Sequence, residues 1–539
     1  MTEVVDCDVA VIGAGVAGAL PAAALADEAR VVILEAGPRI DRQETLERFW
    51  QAPVKLPEVP YPGSKIYPHP VTGDPDVWYV QEGPEVFQST YLRAVGGTTW
   101  HWLGTALRFV PEDFHLASRF GRGVDWPIGY NDLAPWYEAA ERALGVAGDA
   151  SDDLGSPRAG PFPLPVIPLS YSDKVFAKAL AGTDLGAVRP TPQARNSEPY
   201  RGRPTCCGSA SCIPICPVQA KWDATQALAE AEAKGARLLD SAVVVGLETG
   251  PDGHISLALV QRPDGSRFEV HAKVFILAAH AIESPRLLLH SASEAYPRGL
   301  ANSSDQVGRN LMDHPIQLSW ALAPEPVWPY RGPLSTAGIE TFRSGGFRSS
   351  RPASRLEFGN DGWSWPTGAP ITTAERLAKS GLTGLALQEA LRQEASRHLR
   401  LSTLVEQLPA AENRIDLAPD QRDHYGVPRP RVHYRVGDYA RAGLLHAEQH
   451  QDAIFRKMGA SDIQHADDFS GAGHIMGTAR MGEDPDTSVV DADLRAHDHR
   501  NLFILGSAVF PTGATANPTL TIAALSLRAV EAIRAMLGA

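Results

Sequence analysis

Val9-Ala10-Val11-Ile12-Gly13-Ala14-Gly15-Val16-Ala17-Gly18, an Ala/Leu-rich run to Glu28, and then Val31-Val32-Ile33-Leu34-Glu35 form the stretch that decides the fold. The two uncharged apolar runs have strand length and suit buried parallel strands, and the segment between them reads as a helix. The unit is therefore a βαβ with a glycine turn between its first strand and its helix. Gly13 allows the tight turn, Gly15 lets a pyrophosphate approach bare backbone, and Gly18 lets the helix lie close on the sheet. The helix N-terminus adds unpaired N–H groups and a partial positive charge. Glu35 follows Gly15 by 20 residues, the spacing of a carboxylate that accepts from ribose hydroxyls. An acid there favours an unphosphorylated ribose, so a dinucleotide other than NADP is expected.

The rest of the 539 residues bounds the reading. Such a length suits two domains or one large interleaved one. With 50 Lys+Arg against 63 Asp+Glu, the net charge of −13 argues against nucleic acid or an anionic membrane as a direct partner. No apolar run reaches the roughly eighteen residues of a membrane span. The first strand starts within a few residues of Met1, so no signal peptide of the chain's own is expected.

Residues 38–90 are rich in Pro, Tyr and charge and read as extended loop. Arg93-Ala94-Val95-Gly96-Gly97-Thr98-Thr99-Trp100-His101-Trp102 brings glycines and hydroxyls together for a flat ligand. Asn131–Val146 is an amphipathic helix with Asn131 as its expected N-cap. Strands are expected at Arg237–Leu239, Val243–Val245 and Val274–Ala279, with a hairpin turn at Pro263-Asp264-Gly265. The parallel sheet thus resumes more than 200 residues after it begins, and the dinucleotide domain is discontinuous. From about Pro315 to Met458 the pattern shifts to an antiparallel sheet with helices near 373–398 and 437–457.

Four cysteines, Cys206, Cys207, Cys212 and Cys216, fall within eleven residues. Thiolates are soft ligands, and Cys207-x4-Cys212-x3-Cys216-Pro217 is like loops that wrap iron–sulfur clusters. Cys206 either substitutes for Cys207 or is a spectator. Structural zinc, disulfides and inert thiols are the competing readings. Near the C-terminus, His474 sits in a glycine-rich loop, and imidazole titrates in the range needed to take a proton from an alcohol. Asn517-Pro518-Thr519 opens a long helix. Asn517 is placed to cap it or to turn toward a substrate hydroxyl.

Four separated stretches resemble the glucose–methanol–choline (GMC) flavin oxidoreductases: Gly13-x-Gly15-x-x-Gly18 with Glu35; Val95-Gly96-Gly97-Thr98; Val307-Gly308-Arg309-Asn310-Leu311-Met312-Asp313-His314-Pro315; and His474-x-x-Gly477-Thr478 with Asn517-Pro518-Thr519-Leu520-Thr521. The resemblance implies FAD in a Rossmann-type α/β domain beside a substrate domain built on an antiparallel sheet. Residues 1–315 and 459–539 would form the first and 316–458 the second. It implies cofactor contacts at Gly13, Gly15, Gly18, Glu35, Arg93, Gly96, Gly97, Thr98, His101, Val244, Ser507, Pro518 and Thr519. His101 matches a position that holds FAD covalently in some relatives. Gly506 stands where many members carry an acid.

The Gly96–Trp102 stretch together with Thr205–Pro217 is similar to the large subunits of bacterial FAD-dependent glucose and fructose dehydrogenases. That similarity implies a [3Fe–4S] cluster, a small chaperone-like subunit that carries the export signal to the periplasm, and a cytochrome electron acceptor. It makes His474 the base and Asn517 its hydrogen-bonding companion; Glu406, on an expected sheet strand facing the flavin, is an expected substrate contact. The expected activity is oxidation of a sugar or polyol CH–OH. The alternatives are a pyranose or glycoside oxidase using O2, a non-catalytic flavoprotein or metal-binding subunit, and a cytoplasmic location.

Overall fold

The computed structural model describes residues 3–52, 61, 79–360 and 371–538. Val9–Ile12 is the central strand of a five-stranded, all-parallel sheet. The order is Leu502–Ile504, Val274–Leu277, Val9–Ile12, Val31–Leu34 and Arg237–Leu239. These short apolar runs have no polar alternation because both faces of the sheet are covered; Val9, Ala10, Val11, Ile33 and Ile276 are all buried. The Val16–Leu25 helix packs on the C-terminal helix Thr519–Gly538, so the two ends of the chain share one layer. A smaller sheet joins Glu3–Asp6, Arg267–His271, Ile255–Gln261 and Val243–Thr249, and its hairpin turns at Pro263-Asp264-Gly265 as expected.

The second large sheet is antiparallel about Pro315–Leu322, His398–Val405, Ser354–Gly359 and Ala337–Ile339. Its polar positions are as buried as its apolar ones. Leu399 and Leu401 join a core with Ile454 and Phe455 of the Asp438–Lys457 helix. Arg400, Ser402 and Leu404 point the other way, into a cavity shared with the parallel sheet. Period-2 alternation therefore separates a core face from a cavity face, not a core from water.

Local readings differ in three places. Arg42–Gln51 is a helix inside the segment read as loop; Asp41 caps it by accepting from Glu44 N at 2.9 Å, an Asp-x-x-Glu start signal. The remainder of that segment at 53–60 and 62–78 lies outside the described residues. The helix expected over 373–398 is two, Ile371–Lys379 and Gly384–Ala395, broken where Gly381 adopts φ +95°. The Tyr130–Leu144 helix starts one residue earlier than expected, so Asn131 is inside it and Gly129 precedes it.

The glycine turn is built as its spacing implies. Gly13 has φ +108°, and a Cβ there would lie 2.5 Å from the Ala278 carbonyl oxygen. A Cβ on Gly18 would stand 2.0 Å from the Gly13 carbonyl oxygen. Alanine gains up to about 1 kcal/mol over glycine inside a helix, whereas overpacking against backbone costs about 1–3 kcal/mol. Gly18→Ala should therefore lower the melting temperature in calorimetry by several degrees, and Gly346→Ala, where nothing lies within 4 Å, should not.

Candidate active site

A cavity of about 770 Å³ runs from the glycine turn to the antiparallel sheet. One end is walled by Gly13, Gly15, Glu35 and Val244, the middle by Arg93, Gly97, Thr98 and His101, and the far end by His474, Asn517, Glu357, Arg400 and Ser402. Ser507, Pro518 and Thr519 also line it, while Gly18 and Gly96 act behind the wall. Among the described residues, a Cβ on Gly15 would meet nothing within 4 Å, which leaves space where a pyrophosphate would approach. Gly97 packs against Gly15, and Gly96 N donates to Ala14 O at 3.1 Å, so the second glycine pair is fastened to the first. These features fit a dinucleotide laid along the turn.

Glu35 is buried, and burial pushes its carboxyl up to about 7. Its two oxygens accept from Ala14 N at 2.9 Å and Gly37 N at 2.8 Å, bracing the turn as well as facing the cavity. Arg93 pairs with Glu283 at 2.6 Å, and the same carboxylate accepts from Tyr91. The His101 ring is buried in the cavity wall with its centroid 4.7 Å from that of Tyr61.

At the far end, His474 Nε2 lies 3.4 Å from Asn517 Nδ2. The Asn517 amide oxygen faces Arg355 Nη1 at 3.4 Å, so the side chain is turned to these groups and away from its helix. Burial holds the His474 ring well below its ordinary value, and the Arg355 charge adds to this. Behind His474, its Nδ1 meets His314 Nδ1 at 2.8 Å. Asp313 fixes the loop by accepting from His474 N at 2.9 Å and His314 N at 2.7 Å. The sequence reading gave Asp313 and His314 no task, although the Asp-His-Pro of the third stretch was the available signal. Glu357, Arg400 and Ser402 were missed because one-face alternation does not say what the face looks at.

Glu406 was expected to touch substrate and does not line the cavity. It is buried against Arg348, whose Nη2 lies 3.0 Å from it and whose Nη1 reaches Asp113 at 2.9 Å. The residue lies one position past Val405, beyond the end of the strand, where alternation no longer sets its direction. Burial raises its carboxyl to about 7 despite Arg348.

The cysteine loop approaches the cavity at Ile213. Cys212 and Cys216 are buried, Cys206 is half-buried and Cys207 is exposed. Burial raises the Cys206 thiol, and the Arg195 charge opposes this. Buried Lys221 donates to the carbonyls of Trp102 at 2.6 Å, Trp100 at 2.8 Å and Cys212 at 3.1 Å, joining this loop to the one carrying His101. Arg195 is buried nearby, with Nε and Nη1 unpartnered among the described residues. Soft thiols beside buried cations suit a net-negative thiolate-bound group. Among the described residues, however, no three metal-ligating side chains stand together.

Residues 72–316 and 409–526 match the two family profiles described as GMC oxidoreductase. The chain is 38% identical to the fructose dehydrogenase large subunit of Gluconobacter japonicus over 98% of both proteins. It is 28% identical to a 2-methyl-1,2-propanediol dehydrogenase of Mycolicibacterium austroafricanum, covering 99% of this chain and 96% of that one. Among solved structures, pyridoxine 4-oxidase from Mesorbium loti shares the fold with TM-score 0.64 at 19% identity, over 98% of this chain and 99% of that one.

Removing one partner of a buried ion pair destabilises by about 3–5 kcal/mol. Glu406→Ala should therefore lower the melting temperature, while the KM for substrate stays within about twofold because the residue does not line the cavity.

Proposed function

The chain belongs to the GMC oxidoreductase family, FAD-dependent enzymes that act on CH–OH groups, and we propose that its substrate is a sugar or polyol with His474 as the proton acceptor. The observation that carries this reading is the pair of His474 Nε2 and Asn517 Nδ2 in one wall of a cavity that begins at the glycine turn. Similarity to the fructose dehydrogenase large subunit supports the substrate class. Bound FAD supplies the hydride acceptor.

The protein's own groups do the rest. His474 Nε2 takes the hydroxyl proton, and Asn517 orients the substrate oxygen. Glu357, Arg400 and Ser402 offer a carboxylate, a guanidinium and a hydroxyl to neighbouring hydroxyls. Ile316, Leu334 and Leu404 cover C–H faces and keep water out. Residues 1–315 and 459–539 serve the cofactor, and 316–458 the substrate.

Cys212 and Cys216, with Cys207 or Cys206 as third ligand, would hold a [3Fe–4S] cluster, which would supply a one-electron outlet. A cytochrome acceptor and a small chaperone-like subunit in the periplasm belong to the same reading. No helix among the described residues is long and apolar enough to cross a membrane. Iron and acid-labile sulfide in the ratio of a [3Fe–4S] cluster should be found in the purified protein; zinc without sulfide would overturn this part. Peroxide formed in step with substrate would instead select an oxidase.

Anaerobic bleaching of the flavin against a panel of sugars and polyols tests the substrate class, and bleaching by none of them would refute it. His474→Ala should slow bleaching by roughly 10²–10⁴-fold, the usual contribution of a general base, with flavin content unchanged. The base works only while unprotonated, and burial depresses its titration. The kcat/KM plateau should accordingly extend down through about pH 6.5, the ordinary imidazole value, and fall only in more acid solution.

A further inference from the structure

We infer that His314 is a positioning residue that fixes the tautomer of His474 and leaves its Nε2 lone pair facing the cavity. The inference rests on His474 being the base, and it gives the Val307–Pro315 stretch a chemical task.

A chain of hydrogen bonds runs through His474, and its two ends cannot reverse. At one end, His314 Nε2 lies 3.0 Å from the Gly513 carbonyl oxygen and 3.2 Å from that of Ala514. Carbonyl oxygens only accept, so His314 Nε2 carries the hydrogen. The ring is fully buried, and burial pushes its titration down to about 4, so it is neutral near pH 7. A neutral imidazole with hydrogen on Nε2 has a bare Nδ1. That bare atom is 2.8 Å from His474 Nδ1, which must therefore be the donor. Two bare nitrogens, or two N–H groups, would repel at this distance.

At the other end stands Arg355, a guanidinium that only donates. It is anchored by Glu340 at 2.8 Å, by Glu357, and by Thr191 Oγ1 at 2.8 Å. Its Nη1 faces the Asn517 amide oxygen at 3.4 Å, which turns the Asn517 amide nitrogen toward His474 Nε2, also at 3.4 Å. An amide N–H cannot accept, so the Nε2 it faces is bare; the contact is long, and a substrate hydroxyl that approaches more closely takes the lone pair in its place. Both ends impose the same state: hydrogen on Nδ1 of His474 and a lone pair on Nε2.

This state matters because a neutral imidazole divides its single hydrogen between two nitrogens. In the opposite tautomer an N–H would point at the substrate hydroxyl and could not take its proton. When Nε2 does take it, the O–H bond breaks, the new N–H forms there, and the resulting imidazolium keeps a charge-assisted Nδ1–H bond to His314.

Nitrogen NMR of ¹⁵N-histidine-labelled holoenzyme, with the His474 signals assigned by their loss in His474→Gln, should show Nδ1 protonated and Nε2 bare. A protonated Nε2 in the resting enzyme would overturn the proposal without any variant having to fold. His314→Leu should lower kcat by about 100-fold with KM within about threefold, as expected for a misprotonated base. His314→Asn, whose amide oxygen stands near the place of Nδ1, should restore at least about tenfold of that loss. A His314→Leu enzyme with flavin bound and kcat within about threefold of wild type would also overturn the proposal. If His474→Ala were itself fully active, the underlying assignment of the base would fail instead, so the two failures are distinguishable.

Discussion

Backbone packed directly on backbone at the glycine turn is the constraint from which the rest of the structure follows. Gly18 presses its helix onto the Gly13 carbonyl, and Gly13 in turn lies against Ala278 at the end of a neighbouring strand. Gly97, 82 residues further along the chain, rests on Gly15. Glu35 ties the turn to the next crossing by accepting from Ala14 and Gly37. A side chain at Gly13 or Gly18 would separate strand from helix, and the wall that follows the turn would move with it.

From that wall the cavity extends to groups brought in from four distant parts of the chain. They are held by charges and donors taken out of water. Arg355 is buried between Glu340 and Glu357, and Arg348 between Asp113 and Glu406. Isolated, any of these ions would be prohibitive in the interior; paired and hydrogen-bonded, they fix orientation more than they add stability. The first network holds the Asn517 amide and so the His474 end of the cavity. The second only braces the loop beneath it. Their placement differs: Arg355 and Glu357 share one strand, whereas Arg348 and Asp113 sit on separate short 3-10 helices and Glu406 lies just past a strand.

The loop carrying His474 is controlled from underneath by neighbours in space. Asp313 accepts from two consecutive-looking amides that are 160 residues apart, those of His314 and His474. The same short segment thus sets both where the imidazole stands and which of its nitrogens carries hydrogen. Lys221 plays a comparable linking part elsewhere, joining the carbonyls of the His101 loop to that of Cys212. The cysteine loop is in this way coupled to the cavity wall through backbone, with Ile213 as its point of contact.

The sequence alone determined the βαβ unit, because strand length, glycine spacing and the acid at Glu35 are all local and each answers to one steric or electrostatic demand. It also singled out His474 and Asn517, whose glycine-rich and Pro-Thr surroundings are short-range signals. The Asp41 cap and the Gly381 break were equally local and were obscured by composition. Only the tertiary structure decided that Glu406 faces Arg348 while Glu357 and Arg400 face the cavity. Alternation along a strand marks two faces and cannot name what covers each. Only it brought His314 behind His474, since a hydrogen bond between side chains 160 residues apart depends on how two sheets meet, and that is set by packing across the whole core.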